Sequence, residues 1–328
     1  MPILRYVSDK YIVLYDLQQD EVFVFNRNGK IRSHFKHMGQ GGQEYINISN
    51  LFFDEKNEEL FVSDFSTNRI LVYSITGEYM RTIKYSKDFM YLYAYNFNDS
   101  TMLVYNNDIN FLKFKNSFSQ RPYMLMSKKD GRIISNIDIQ LPVRYTNRIS
   151  EQTKVGDQWI ATAHSLDTYN NVHWGQDFAL SDISSDTIYR LTRAGELSPI
   201  LVRTPSVQSS QPPIVWANIL TTDKFIILKT MILYDKEDTS SKLLMYEFES
   251  GQTYIPSFAN DDFRGAGWYP VVVVVGVDTP KNMYIELVSA KILRILYKEM
   301  KLKVRKLENF KKIPDDDDNP GVMIVKFK

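Results

Sequence analysis

LFVSDFSTNRILVYSITG, residues 60–77, reads as two short strands joined by a polar hairpin and closed by a turn. Its runs alternate rather than repeat every 3.6 residues, and β-branched and aromatic side chains fill them, which is strand chemistry. The unit recurs. Asp64 to Gly77 is thirteen positions, Asp16 to Gly29 (YIVLYD to EVFVFNRNG) is thirteen, and Asp182 to Gly195 within FALSDISSDTIYRLTRAG is thirteen again. In each copy a polar residue (Asp20, Asn68, Asp186) stands nine before the glycine and an aliphatic one (Val22, Ile70, Ile188) seven before it. A looser fourth copy runs from Asp235 to Gly251. The first two copies lie 48 residues apart, a period in the range of propeller blades.

Composition agrees with a repeat-built β-protein. Of 328 residues, 44% are hydrophobic and 13% aromatic, enough for a large core and too patterned for disorder. Length alone suggests two domains, but a ring of repeats holds this many residues as one unit. Forty basic against 39 acidic residues leave a net charge of +1, which gives no electrostatic case for nucleic acid or an anionic membrane. Cysteine is absent, so disulfides and Cys-ligated metals are excluded. The chain opens MPILRYV with no leader pattern, and its longest strongly apolar run, 270–277, is too short for a transmembrane helix.

Counting strand groups gives six units, so the expectation is an all-β, six-bladed β-propeller of four-stranded antiparallel blades. The approximate blades are 1–38, 46–85, 89–140, 155–203, 213–257 and 268–328. Radial closure leaves only short sheet edges, and the terminal GVMIVKFK either completes the last blade or pairs beside residues 4–7. The alternating, Lys/Arg-rich KLKVRKL near 301–307 fits a hairpin with a basic outer face.

GQGGQEY followed by FDEKNEELFVSDFSTNRILVYSITGEYMRTI resembles an NHL-type propeller repeat. More closely, together with WGQDFALSDISSDTIYRL and the tail DDDDNPGVMIVKFK, it is similar to six-bladed propeller proteins of Bacteroidetes, most of them secreted or lipid-anchored. The resemblance touches the first, middle and last parts of the chain; 86–155 and 205–265 match weakly. It implies an extracytoplasmic protein, in the periplasm or at the cell surface, although no export signal is present in this sequence. It also implies that Asp64 and Arg69 bridge strand ends; the first copy has Glu21 where the arginine would stand.

Candidate chemistry is scattered. The glycine-rich 39–45 invites a phosphate-cradle reading, but a strand rather than a helix follows, so an inter-blade turn is expected. The connector 106–120 carries Phe111, Phe114 and Phe118, either packing on the ring or forming an aromatic rim. His164, Tyr169, His173 and Trp174 lie close in sequence with Asn170, Asn171, Gln176 and Asp177, the composition of a saccharide or peptide platform; Trp174 as a core plug is the alternative. Arg144 and Arg148 precede them in a charged loop-like stretch, and Trp216 reads as core. His164 and His173 lack zinc-site spacing, so no metal is expected. No cofactor is expected either; calcium at Asp261 and Asp262 or in the acidic loop 314–320 is the one candidate, though neither fits an EF-hand.

Two functional classes remain. A non-catalytic binding propeller, monomeric, would engage a glycan, peptide or protein through rim loops. A propeller lyase or hydrolase would need His with Glu or Asp converging in the central channel, and His164, His173, Asp177 and Glu151 are the set to test. The shortage of convergent groups favours binding.

Overall fold

The computed structural model describes residues 2–86, 92–106, 120–141, 143–145, 148–155, 158–165, 173–233, 241–257, 283–291, 294 and 321–326. Its unit is a four-stranded antiparallel meander, and the described residues form five such sheets along the chain. The first is β1 (Pro2–Val7), β2 (Tyr11–Asp16), β3 (Glu21–Asn26) and β4 (Ile31–Phe35). The second is β5 (Ile48–Asp54), β6 (Glu59–Asp64), β7 (Arg69–Ser74) and β8 (Tyr79–Lys84). The third is β9 (Leu92–Asn96), β10 (Thr101–Asn106), β11 (Tyr123–Ser127) and β12 (Ile133–Asn136). A separate hairpin, β13 (Arg148–Val155) with β14 (Gln158–Ser165), intervenes. The fourth sheet is β15 (His173–Trp174), β16 (Asp177–Leu180), β17 (Thr187–Leu191) and β18 (Leu197–Val202). The fifth is β19 (Ile214–Thr221), β20 (Phe225–Ile232), β21 (Ser241–Glu247) and β22 (Gln252–Tyr254), and a two-stranded sheet of β23 (Met283–Val288) with β24 (Gly321–Lys326) ends the chain.

The sheets stack face to face, which is why their middle strands are apolar on both sides. Alternate residues of β6 enter two cores. Leu60 and Val62 join Val13, Tyr15, Val22 and Val24 of the first sheet. Phe61, on the other face, joins Met102, Val104, Met124 and Met126 of the third. Burying each such side chain contributes about 1.5–3 kcal/mol, so the inter-sheet seams dominate stability. Two further cores join the third sheet to the fourth and the fourth to the fifth. First strands lie side by side: β1 by β5, β5 by β9, β15 by β19, and β1 by β23. This radial arrangement of meanders is the β-propeller fold. The terminal strand completes the last sheet, pairing with β23 from Met283↔Lys326 to Val288↔Gly321, while Val322 packs on Leu4, Val7 and Ile12.

The repeat spacing has a physical cause. Gly29, Gly77, Gly195 and Gly251 occupy left-handed backbone in the third-to-fourth-strand turns, and Asp20 and Asn68, the polar positions of the first two copies, are left-handed as well. The third sheet has the same turn glycine, Gly131 at φ +76°. The sequence hid this copy because the segment 107–119 separates β10 from β11 and destroys the thirteen-residue spacing. Gly131 and Gly29 differ in one respect. A Cβ on Gly29 meets nothing within 4 Å, whereas one on Gly131 would lie 2.6 Å from the Lys84 carbonyl oxygen of the neighbouring sheet. Gly29→Ala should therefore cost about 1 kcal/mol of left-handed strain, and Gly131→Ala about 2–3 kcal/mol, because backbone must also move. Urea unfolding of the pair checks this; equal losses would contradict the inter-sheet contact.

Among the described residues the run WIATAHS joins no four-stranded sheet: β14 pairs with its chain neighbour β13 in unbroken register from Arg148↔Ser165 to Val155↔Gln158, the partner that closes the shortest loop. The fourth sheet begins instead at His173–Trp174, inside what reads as a connector. KLKVRKL lies outside the described residues; ahead of it, Ala290, Lys291 and Arg294 are helical.

Candidate functional site

Antiparallel meanders sort the turns of a propeller. First-to-second and third-to-fourth turns emerge at one end, and second-to-third turns with the links between sheets emerge at the other. At the first end the turns are short, as between Asp54 and Glu59 or Ser127 and Ile133. The long links 36–47, 137–147 and 203–213 join strand ends at the second, which we term the connector end.

Asp64 organises this end over the second sheet. Its buried carboxylate accepts from the backbone N–H groups of Ile46 (3.2 Å), Asn47 (3.3 Å) and Ser66 (3.1 Å) and from Thr67 Oγ1 (2.7 Å). Arg69 lies 3.7 Å away and donates to the Glu44 carbonyl at 2.6 Å. The pair is thus a clasp between a turn and the link before it. The glycine-rich link holds an anion of its own: the Glu44 carboxylate accepts from Gly41 N at 2.7 Å, and a Cβ on Gly39 would collide with it. Those glycines serve this internal contact, and the inter-blade turn is what the loop forms.

Asp182 plays the same part over the fourth sheet. Its Oδ2 accepts from Tyr105 Oη (2.9 Å) and Arg144 Nη2 (3.0 Å), and its Oδ1 from Ser184 N (2.8 Å). Arg144 also donates to the Asn106 carbonyl, and both charges are buried, at 4% and 1% exposure. Burial opposes the Arg144 charge, but Asp182 and Tyr105 hold the guanidinium above its ordinary pKa. Burial raises the Tyr123 phenol well above its usual value, and its hydroxyl donates to the Ser181 carbonyl at 2.9 Å. Asp186, third-copy counterpart of Asp20 and Asn68, accepts from Val207 N at 2.6 Å and fixes the following link. Trp216 is buried, its indole donating to the Ser185 carbonyl at 2.6 Å.

The aromatic candidates lie elsewhere. His173 is buried between Tyr95 and Phe178, each ring centroid at 5.6 Å. Trp174 and Asp177 flank the β15–β16 turn at the tight-turn end. Asp177 Oδ2 accepts from Arg190 Nε (2.7 Å) and Nη2 (2.5 Å), which holds that guanidinium 4.9 Å over the Trp174 ring; Phe248 stacks on the ring at 6.3 Å. The indole is a wedge between the fourth and fifth sheets. Trp174→Ala should lower stability by about 2–3 kcal/mol in a thermal or urea melt, and an unchanged midpoint would restore the platform reading. Arg148 and His164 occupy the same end of the β13–β14 hairpin, where Ile149↔His164 adjoins Arg148↔Ser165. Tyr169, Asn170, Asn171, Phe111, Phe114, Phe118, Asp261, Asp262 and the 314–320 loop lie outside the described residues. Asp177 and Arg144 are therefore at opposite ends of the fold.

One constellation gave no sequence signal. Lys128 Nζ donates to Asp54 Oδ2 (2.6 Å) and Asn96 Oδ1 (2.7 Å), with the two charges 4% and 2% exposed. Burial lowers the Lys128 pKa, with Asp54 pulling the other way. Arg81 binds Glu59 through both guanidinium nitrogens, at 2.6 and 2.8 Å, beside it. These groups clamp the second sheet to the third at the tight-turn end. Among the described residues no three His, Asp or Glu side chains could together hold a metal ion, and no helix is long and apolar enough to cross a membrane.

Known structures bear on the fold. The chain is similar to a Bacteroides fragilis NCTC 9343 protein described as exported, at 14% identity and TM-score 0.58, covering 99% of this chain and 90% of that one. It is also similar to a DUF4221 family member from Bacteroides vulgatus ATCC 8482 (9% identity, TM-score 0.46, covering 77% and 79%). A third is virginiamycin B lyase from Staphylococcus aureus (12% identity, TM-score 0.35, covering 79% and 85%). At such identities the first match speaks to fold alone. No curated protein matches the sequence. The family model described as "Domain of unknown function (DUF4934)" matches residues 2–326, and the chain belongs to that family.

Proposed function

We propose that this chain is a six-bladed, extracytoplasmic binding propeller that takes a glycan, peptide or protein ligand at its connector end. The carrying observation is the asymmetry of the two ends. At one, short turns are locked to each other by ion pairs such as Asp54–Lys128; at the other, the links 36–47, 137–147 and 203–213 are anchored by Asp64, Asp182 and Asp186 in turn, yet leave their outer residues in solvent. Rigid anchoring of long surface connections is how scaffolds present binding residues. Six blades are supported by two apolar flanks. The outer face of the first sheet (Leu4, Val7, Ile12) meets Val322, and the outer face of the fifth (Ile219, Leu220, Ile227) forms its own cluster. A sixth blade built on β23 and β24 would fill the space between them. Likeness to an exported protein supports the location.

A thermal-shift panel tests the reading, with oligosaccharides, short peptides, and calcium against chelator. Binding to the native state must stabilise it, by ~2.7 kcal/mol at a hundredfold excess over Kd. A shift with one saccharide or peptide class is the expected result. A shift that needs calcium would instead favour a metal-dependent enzyme, and the binding reading would be abandoned.

A further inference from the structure

The two ends differ in chemistry as well as in loop length. The tight turns expose charges of both signs, Lys10, Lys30, Lys56, Glu78, Asp130 and Glu196 among them, beside uncharged residues such as Asn28, Asn57 and Asn98. Over the first two sheets the connector end is different. Its exposed polar residues are mostly uncharged: Gln18 and Gln19 in the β2–β3 turn, Gln40 and Gln43 in the link 36–47, and Asn47 with Ser66 beside them, while Lys84 at the end of β8 is exposed and charged. Within the turns and the link themselves, Lys36 is the one exposed ionisable side chain among the described residues. The remaining charges are turned inward or held: Asp64 and Arg69 in their clasp, Glu44 on Gly41 N, and Asp20 accepting from Tyr15 Oη at 2.8 Å.

These segments form one surface. Tyr45, at the end of the link, donates from its hydroxyl to the Asp20 carbonyl at 2.8 Å. Asn47 Nδ2 donates to Ser66 Oγ at 2.8 Å, joining the link to the β6–β7 turn. Arg69 grips the link from below through the Glu44 carbonyl. The backbone beneath the amides is therefore fixed, while Gln18, Gln19, Gln40 and Gln43 project from it.

We infer that this surface binds an uncharged, hydroxyl-rich oligosaccharide. The inference rests on the binding reading above and narrows its ligand. A carboxamide presents two donors and an acceptor with no net charge, which matches the paired donor and acceptor character of sugar hydroxyls. An anionic glycan would find few exposed cations here, Lys36 and Lys84, and carboxylates or sulfates beyond their reach would carry the desolvation cost of unpaired charge. A protein partner would call for the aromatic and arginine anchors that concentrate interface energy; beside the amides, hydroxyls and glycines these segments expose Lys36, Leu17 and Met38, and no aromatic or arginine side chain of theirs is exposed.

The test uses the full chain and isothermal titration with neutral oligosaccharides (glucans, mannans, xylans), uronate-containing and sulfated ones, and neutral peptides. The expected result is binding to a neutral oligosaccharide, with an affinity that changes less than about twofold between ~50 mM and ~500 mM salt. Gln40→Ala with Gln43→Ala should weaken it about tenfold or more, with an unaltered melting midpoint. Lys30→Gln with Glu196→Gln, at the other end, should leave it unchanged. Salt-sensitive binding to acidic oligosaccharides only, binding of peptides only, or no binding at millimolar concentration would each overturn the inference. Peptide binding lost in the Gln40/Gln43 variant would overturn the ligand class and keep the connector end. Binding lost only in the Lys30/Glu196 variant would overturn both.

Discussion

Lys128→Met should destabilise the chain by about 3–5 kcal/mol, the range for removing one partner of a buried ion pair. Asp54 would be left 2% exposed, with only Asn57 close by, its side-chain amide donating to Oδ2 at 2.9 Å. Lys128 also satisfies Asn96 Oδ1, so the substitution removes the partner of a second, half-buried acceptor in the third sheet. The apolar part of the lysine stem is retained by methionine, so lost packing contributes little. The double variant Asp54→Asn with Lys128→Met removes the stranded charge and should recover more than half of the loss. Urea denaturation of the three proteins measures it. A loss below about 1 kcal/mol for the single variant would mean that water reaches Asp54 and the clamp is not buried.

Arg144→Met should cost about 3 kcal/mol or more for the same reason, and here stability and function separate. As a ligand-binding residue, Arg144 would be replaceable without loss of stability. In the structure its guanidinium spans Asp182, Tyr105 and the Asn106 carbonyl, tying the link before the fourth sheet to both the third and the fourth. The loss should appear in the melt whether or not ligand is present. Asp182→Asn in the Arg144→Met background should restore part of it. An unchanged melt with weakened ligand binding would return Arg144 to the ligand site.

The fold was legible where the repeat was intact. Asp16, Asp64 and Asp182 each end a second strand or begin the turn after it, and Gly29, Gly77 and Gly195 each need left-handed backbone, so the thirteen-residue spacing reports real geometry. It failed where a long segment entered the unit, which is why Gly131 went unrecognised. A two-residue strand carries no periodicity, and His173–Trp174 therefore read as a loop with exposed aromatics. The site was less legible than the fold. Asp54 and Lys128 are 74 positions apart, and nothing local marks either as buried. Arg144 sits in a charged stretch that looks solvated until Asp182 is brought beside it. The amide-rich surface was in plain view as single glutamines, but only the meander topology brings Gln18, Gln19, Gln40 and Gln43 to one end.

Hydrogen–deuterium exchange with and without a bound ligand tests most directly which end works. Backbone N–H groups under a ligand exchange more slowly, and tight turns at the opposite end provide an internal reference. The account predicts added protection in 17–20, 36–47 and 65–68, with the turns at 55–58, 128–132 and 193–196 unchanged. Protection confined to those turns would contradict it and assign function to the charged, tightly clamped end.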